Sequence, residues 1–122
     1  MYQAAIKALD LVAPIAATTT QTGADVDLKG YLNPGGREMT IIADIGAVTT
    51  AGTLAVEIDS GTSTSAYTAL DTASYPATAT TTGIVQWRVK TTNRYMRAVA
   101  TLSGTGVSIT FSVQALVDLE IK

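Results

Sequence analysis

The chain has 122 residues, 47% of them hydrophobic, with neither cysteine nor histidine. A chain of this length makes one domain that buries roughly two-thirds of its unfolded surface, and the composition excludes disulfides, thiolate metal sites, ordinary zinc sites, Ser-His-Asp triads and Cys-His dyads. The net charge is −2, and the eight basic residues are scattered at Lys7, Lys29, Arg37, Arg88, Lys90, Arg94, Arg97 and Lys122, which leaves no basic stripe for a phosphate backbone and implies no nucleic-acid partner.

Charged residues are 15% of the chain, below the roughly 25% usual for soluble domains, while threonine occurs 21 times. A neutral, hydroxyl-rich surface suits a protein packed against partners, because few charges must lose water when an interface forms. The opening "MYQAAIKALDLVAPIAA" is broken by Lys7 and Asp10, so it reads as neither a secretory signal nor a membrane span. Residues 1 to 22 form an apolar segment followed by "TTTQTG", and read as an N-terminal arm ahead of a domain at 23 to 122. Ile6, Leu9 and Val12 fit one face of a short helix, whereas Leu9, Leu11 and Ala13 fit a strand; Pro14 limits either.

From Asp25 onward the period is two. "DVDLKGY" alternates, "NPGG" at 33 to 36 is a turn signal, and "EMTIIADI" places Met39, Ile41, Ala43 and Ile45 on one face. "TLAVEID" turns Leu54, Val56 and Ile58 inward and Glu57 and Asp59 outward. "SGTSTSA" and "TASYPATATTTG" read as small-residue loops around a short edge strand at "YTAL", with Pro76 supporting the edge position. "GIVQWRVK" sets Val85, Trp87 and Val89 on the core face, with Trp87 as its anchor, against Gln86, Arg88 and Lys90. "TTN" at 91 to 93 and "GTG" at 104 to 106 then predict turns into "RYMRAVATLSG" and "VSITFSVQALVD", making a three-stranded meander. About eight short strands with glycine-bearing turns and no helical period predict an all-β, antiparallel β-sandwich of jelly-roll type with an N-terminal arm. An immunoglobulin-like strand order shares the same alternation.

In "NRYMRAVATLSG" alternation puts Tyr95, Arg97, Val99 and Thr101 outward, and Arg94, Met96, Ala98, Ala100 and Leu102 on the core side. Tyr95 and Arg97, joined by Arg88 or Lys90 from the preceding strand, form a possible interface patch, since arginine and tyrosine are favoured contact residues. The carboxylate pairs Asp25/Asp27 and Glu57/Asp59 lack the oxygen count that calcium needs and sit at a spacing common in solvated strands. Tyr67, Tyr75 and Trp87 offer an aromatic platform for sugar. The glycines of "GTG" and "NPGG" precede no helix and so form no phosphate-binding loop. The chain is therefore expected to be no enzyme, with no catalytic residue, metal, cofactor, membrane or small-molecule substrate.

The order "TGADVDLKGYLNPGGREMTIIADIGAVTTAGTLAVEIDSGTS", "YTAL" and "WRVKTTNRYMRAVATLSGTGVSITFSVQALV", over roughly residues 20 to 118, resembles the head decoration (cement) proteins of tailed bacteriophages. That resemblance implies a small β-sandwich, often a homotrimer, docked on the outer surface of the major capsid protein shell, which it reinforces. The expected location is then the capsid surface of the virion. On this reading the arm is a strap, and Ile6, Leu9, Leu11 and Ile15 lie against the capsid or a neighbouring subunit. A carbohydrate-binding module of the same architecture and a tail or fibre structural protein are the competing readings.

Overall fold

A computed structural model describes residues 3–29, 37–77 and 83–121. The turn expected at 33 to 36 lies outside the described residues. Described strands follow one another as β1 (Gln3–Ala17), β2 (Gln21–Thr22), β3 (Val26–Asp27), β4 (Arg37–Thr50), β5 (Gly52–Ser63), β6 (Ala66–Ala77), β7 (Gly83–Thr91), β8 (Tyr95–Ser103) and β9 (Ser108–Ile121). They form two antiparallel sheets, one ordered β1-β9-β4-β7 and the other β2-β8-β5-β6, with β3 also paired to β8. The first strand pairs with the last, β2 and β3 with β8, β4 with β7, and β5 with β6. That nesting, a long hairpin rolled onto itself, is a jelly roll.

Alternation supplies the core. Ile109, Phe111, Val113, Ala115 and Val117 of β9 and Met39, Ile41, Ala43 and Ile45 of β4 face Leu54, Val56 and Ile58 of β5 and Met96, Ala98 and Ala100 of β8, all of them buried. Each fully buried aliphatic contributes about 1.5–3 kcal/mol, so the period-two face of four central strands holds most of the stability. Trp87, expected as the anchor of its strand, is only half-buried against this core; Phe111 is the largest fully buried side chain.

Residues 1 to 22 do not stand apart as an arm where they are described. Residues 3–17 are β1, registered along β9 from Gln3 opposite Ile121 to Ala17 opposite Ile109. Two register shifts, between Asp10 and Val12 and between Val12 and Ile15, insert extra residues into β1. Strict alternation would bury Leu11 or Val12; the bulge lets both neighbours reach the core, at 1% and 6% exposure. Pro14 sits in the second irregular stretch, where a missing N–H removes no ladder bond. The same bulge brings the Leu11 carbonyl against Gly23, whose own N–H donates to the Ala98 carbonyl at 2.8 Å. A Cβ at position 23 would lie 1.8 Å from the Leu11 oxygen, so only glycine lets the edges of the two sheets meet here.

The meander expected from 83 to 117 is absent. β7 lies in the first sheet, β8 in the second and β9 again in the first, so the turns at 91 to 93 and 104 to 106 cross between sheets. Gly106, with φ +67°, provides the left-handed residue the second crossing needs. The "YTAL" strand is at an edge, as its proline indicated, but runs twelve residues because threonine-rich neighbours pair with β5 as well as apolar ones do.

Gly23→Ala is expected to destabilise the fold by about 1–3 kcal/mol, the range typical of overpacking, read as a lower urea midpoint at unchanged slope. An unchanged midpoint would show that the Leu11 bulge is free to move away.

Candidate functional site: the outer face of the second sheet

The richest polar constellation lies on the outside of the β2-β8-β5-β6 sheet, where register sets Asp59 of β5 opposite Arg97 of β8 and Gly61 opposite both Tyr67 of β6 and Tyr95 of β8. Arg97 Nε donates to Asp59 Oδ2 at 3.0 Å. The Arg97 guanidinium lies 4.2 Å from the Tyr67 ring centroid, a cation–π contact. The Tyr67 hydroxyl in turn donates to Asp25 Oδ1 at 2.6 Å. One chain of contacts therefore crosses from β6 over β5 and β8 to the segment leading into β3.

A second clamp fastens β3 to the start of β8. Arg94 donates from Nε to Asp27 Oδ1 at 2.9 Å and from Nη2 to Asp27 Oδ2 at 2.8 Å, a two-pronged pair, while Lys29 N–H donates to the same Oδ1. The Leu28 N–H donates to the Arg94 carbonyl at 2.6 Å, which helps explain why Leu28 is fully buried next to two exposed charges. The Arg94 guanidinium also stands 5.0 Å from the Tyr95 ring centroid.

Asp59 departs from its sequence reading: it points to the outer face as alternation requires, yet is 3% exposed beneath Arg97 and Tyr67. Its Oδ1 is buried and has no hydrogen-bond partner. Glu57, two residues back on the same face, has its carboxyl raised above the ordinary carboxylate range, first by a hydrogen bond to Asp59, then by that residue's charge and by burial. Burial and the Asp25 carboxylate push the Tyr67 hydroxyl up to about 12. Arg94 and the Lys29 N–H hold Asp27 down at about 2.

Arg94, Arg97 and the Tyr67 hydroxyl each meet a carboxylate within the chain, and the described residues contain no cluster of three acidic, histidine or cysteine side chains able to hold a metal. These contacts tie β3, β5, β6 and β8 together on one face. Tyr95 and Arg97 are brought together as the alternation indicated, both half-buried on β8. Arg88 is not: β7 belongs to the other sheet, where Arg88 pairs with Glu38. The arm residues are spent differently from the strap reading. Leu11 is buried in the chain's own core, Leu9 and Ile15 pack against it, and Ile6 takes a place opposite Asp118 in the β1–β9 ladder, its side chain outside the described set. The aromatic platform is divided as well, with Tyr67 on the second sheet, Trp87 on the first and the Tyr75 side chain outside the described set. What alternation left unseen was the pairing of Tyr67 with Arg97 and of Arg94 with Asp27, which depends on which strands become neighbours.

Arg97→Met is expected to cost about 3 kcal/mol, the lower end for breaking a buried ion pair because Arg97 keeps about a third of its side chain exposed, with Asp59→Leu/Arg97→Met recovering most of that loss. Equal loss in the single and double variants would show that Asp59 is not the group left stranded. For pH, a hydroxyl whose folded pKa is raised contributes stability that is intact below the ordinary value of 10 and lost as pH climbs toward about 12. Of the five tyrosines, Tyr67 should therefore ionise late in a tyrosinate absorbance titration, and Tyr67→Phe should remove that late step and flatten stability between those two pH values.

No protein-family model matches the chain and no curated protein matches it. Among solved structures, the chain is similar to the crystal structure of the SPBc2 prophage-derived protein YomS, with a TM-score of 0.59 over 96% of both chains at 14% sequence identity. At that identity the likeness establishes a shared fold, end to end.

Proposed function

We propose that this protein is a structural component of a tailed-bacteriophage particle, a decoration or cement protein that binds the outer surface of the major capsid protein shell and stabilises the head. The observation that carries the reading is the full-length likeness in fold to a prophage-derived protein, which joins the resemblance of the strand order to head decoration proteins. The physical character of the surface supports it. Low charge, abundant threonine and a sheet face whose ion pairs are internally matched make a rigid, neutral exterior, and such an exterior gains affinity by repetition over a lattice of identical sites.

Docking on this reading uses preformed sheet surface. Because Leu9, Leu11 and Ile15 already serve the core, a capsid contact made by peeling β1 away would expose the buried face of β9. The carbohydrate reading has less to stand on, since the Tyr67 ring is occupied by Arg97 and Trp87 lies in the opposite sheet.

In particles of the phage that encodes the chain, immunogold label is expected over the head surface, and heads lacking the protein are expected to lose their contents at lower temperature, with full recovery on adding purified protein. Label on the tail or fibres, or heads of unchanged heat resistance, would overturn the assignment.

A further inference from the structure

The two sheets expose edges of unequal quality. β1 carries two register shifts and Pro14, β6 carries Pro76 and an extra residue at Leu70, and β2 and β3 are two residues each, all features that discourage another strand from adding. β7 alone among the described edges is regular: its nine residues are in unbroken register with β4, from Gly83 opposite Ile45 to Thr91 opposite Arg37, and no described strand pairs with its other side.

Two further observations fall on the same strand. Ile84 is 66% exposed, the most exposed large aliphatic among the described residues. The indole Nε1 of Trp87 is buried yet has no acceptor among the described residues, an unusual state for a tryptophan, whose N–H ordinarily finds a partner when taken from water. A regular open edge, an exposed isoleucine and an indole lacking an acceptor together mark a surface that a second strand would complete.

The strand fits a copy of itself. Trp87 is the midpoint of Gly83–Thr91, so an antiparallel pairing about a two-fold axis at Trp87 overlaps all nine residues. In that register Val85 lies opposite Val89 of the second copy on the core-facing side. On the outer side Gln86 lies opposite Arg88, and Ile84 lies opposite Lys90, whose methylene stem can cover it. No two cations stand directly opposite each other, and each Arg88 is already matched by Glu38. The added backbone supplies carbonyls at the edge where Trp87 lacks an acceptor.

We propose that β7 is the seam of a two-fold dimer, in which it pairs antiparallel with β7 of a second copy and joins the two β1-β9-β4-β7 sheets into one continuous sheet with Trp87 on the axis. This assembly differs from the three-fold arrangement that decoration proteins imply, and it stands or falls independently of where the protein sits on a phage.

The test combines mass with register. Light scattering on the intact chain is expected to give twice the 12.6 kDa chain mass. The chain has no native cysteine, so Gln86→Cys and Arg88→Cys each introduce a lone thiol. Under mild oxidation a disulfide, which needs Cα atoms within about 7 Å and so joins directly opposite but not diagonal positions, is expected to link the two variants when they are mixed and neither when it is alone. Ile84→Lys, which sets lysine against Lys90 of the copy without touching the core, is expected to halve the mass at an unchanged circular dichroism spectrum and to red-shift the emission of Trp87, the chain's one tryptophan. A monomeric or trimeric wild-type mass, or a dimer that is neither cross-linked by the mixed pair nor dissociated by Ile84→Lys, would overturn the proposal.

Discussion

Everything else in this fold depends on the pairing of its two ends. β1 and β9 lie side by side although about a hundred residues separate them, with Asp10 opposite Gln114 and joined to it by a 2.9 Å hydrogen bond on the outer face. That contact closes the outermost turn of the jelly roll. Without it β9 would lose one neighbour and the core would open beside Leu11 and Val12. Nearly all the strand pairing is nonlocal, so the entropy of closing large loops is met before burial repays it, and folding on the slower side is the physical expectation.

The bulge in β1 shows how a local irregularity serves that closure. Inserting residues between Asp10 and Ile15 costs ladder hydrogen bonds, yet it buries two consecutive aliphatic side chains and presses the Leu11 carbonyl toward Gly23. Gly23 is bonded at the same time to Ala98 on β8, so the edge of one sheet is fastened to the edge of the other. Among the described residues β7, at the far edge of the same sheet as β1, keeps an unbroken register with β4.

The network of Asp25, Tyr67, Arg97 and Asp59 plays the corresponding part on the second sheet, with Arg94 and Asp27 beside it. These six side chains come from four separate stretches of chain and bind one another in place, so a sheet with two-residue strands at its margin keeps a defined exterior. The chain has few charges to begin with, and among the described residues three of its eight cations are engaged in these ion pairs and the Arg88–Glu38 pair.

The sequence by itself determined the class of fold and the composition of the core, because period-two alternation decides which face of a strand meets water without reference to its neighbours. Met39 to Ile45, Leu54 to Ile58, Met96 to Ala100 and Ile109 to Val117 were all legible in this way, as was the outward placement of Tyr95 and Arg97. Alternation carries no information about partners, so only the tertiary structure decided that β7, β8 and β9 change sheets at each turn, that Arg88 lies apart from Arg97, and that Tyr67 reaches across to Asp25. It decided the state of residues 3–17 for the same reason. An apolar segment interrupted by Lys7, Asp10 and Pro14 fits a helix, a free arm or a bulged strand equally well in one dimension, and the open flank of β9 is what makes it a strand. Asp59 is the sharpest case: its face followed from its position, whereas its burial followed from an arginine and a tyrosine that meet it only when three strands are assembled.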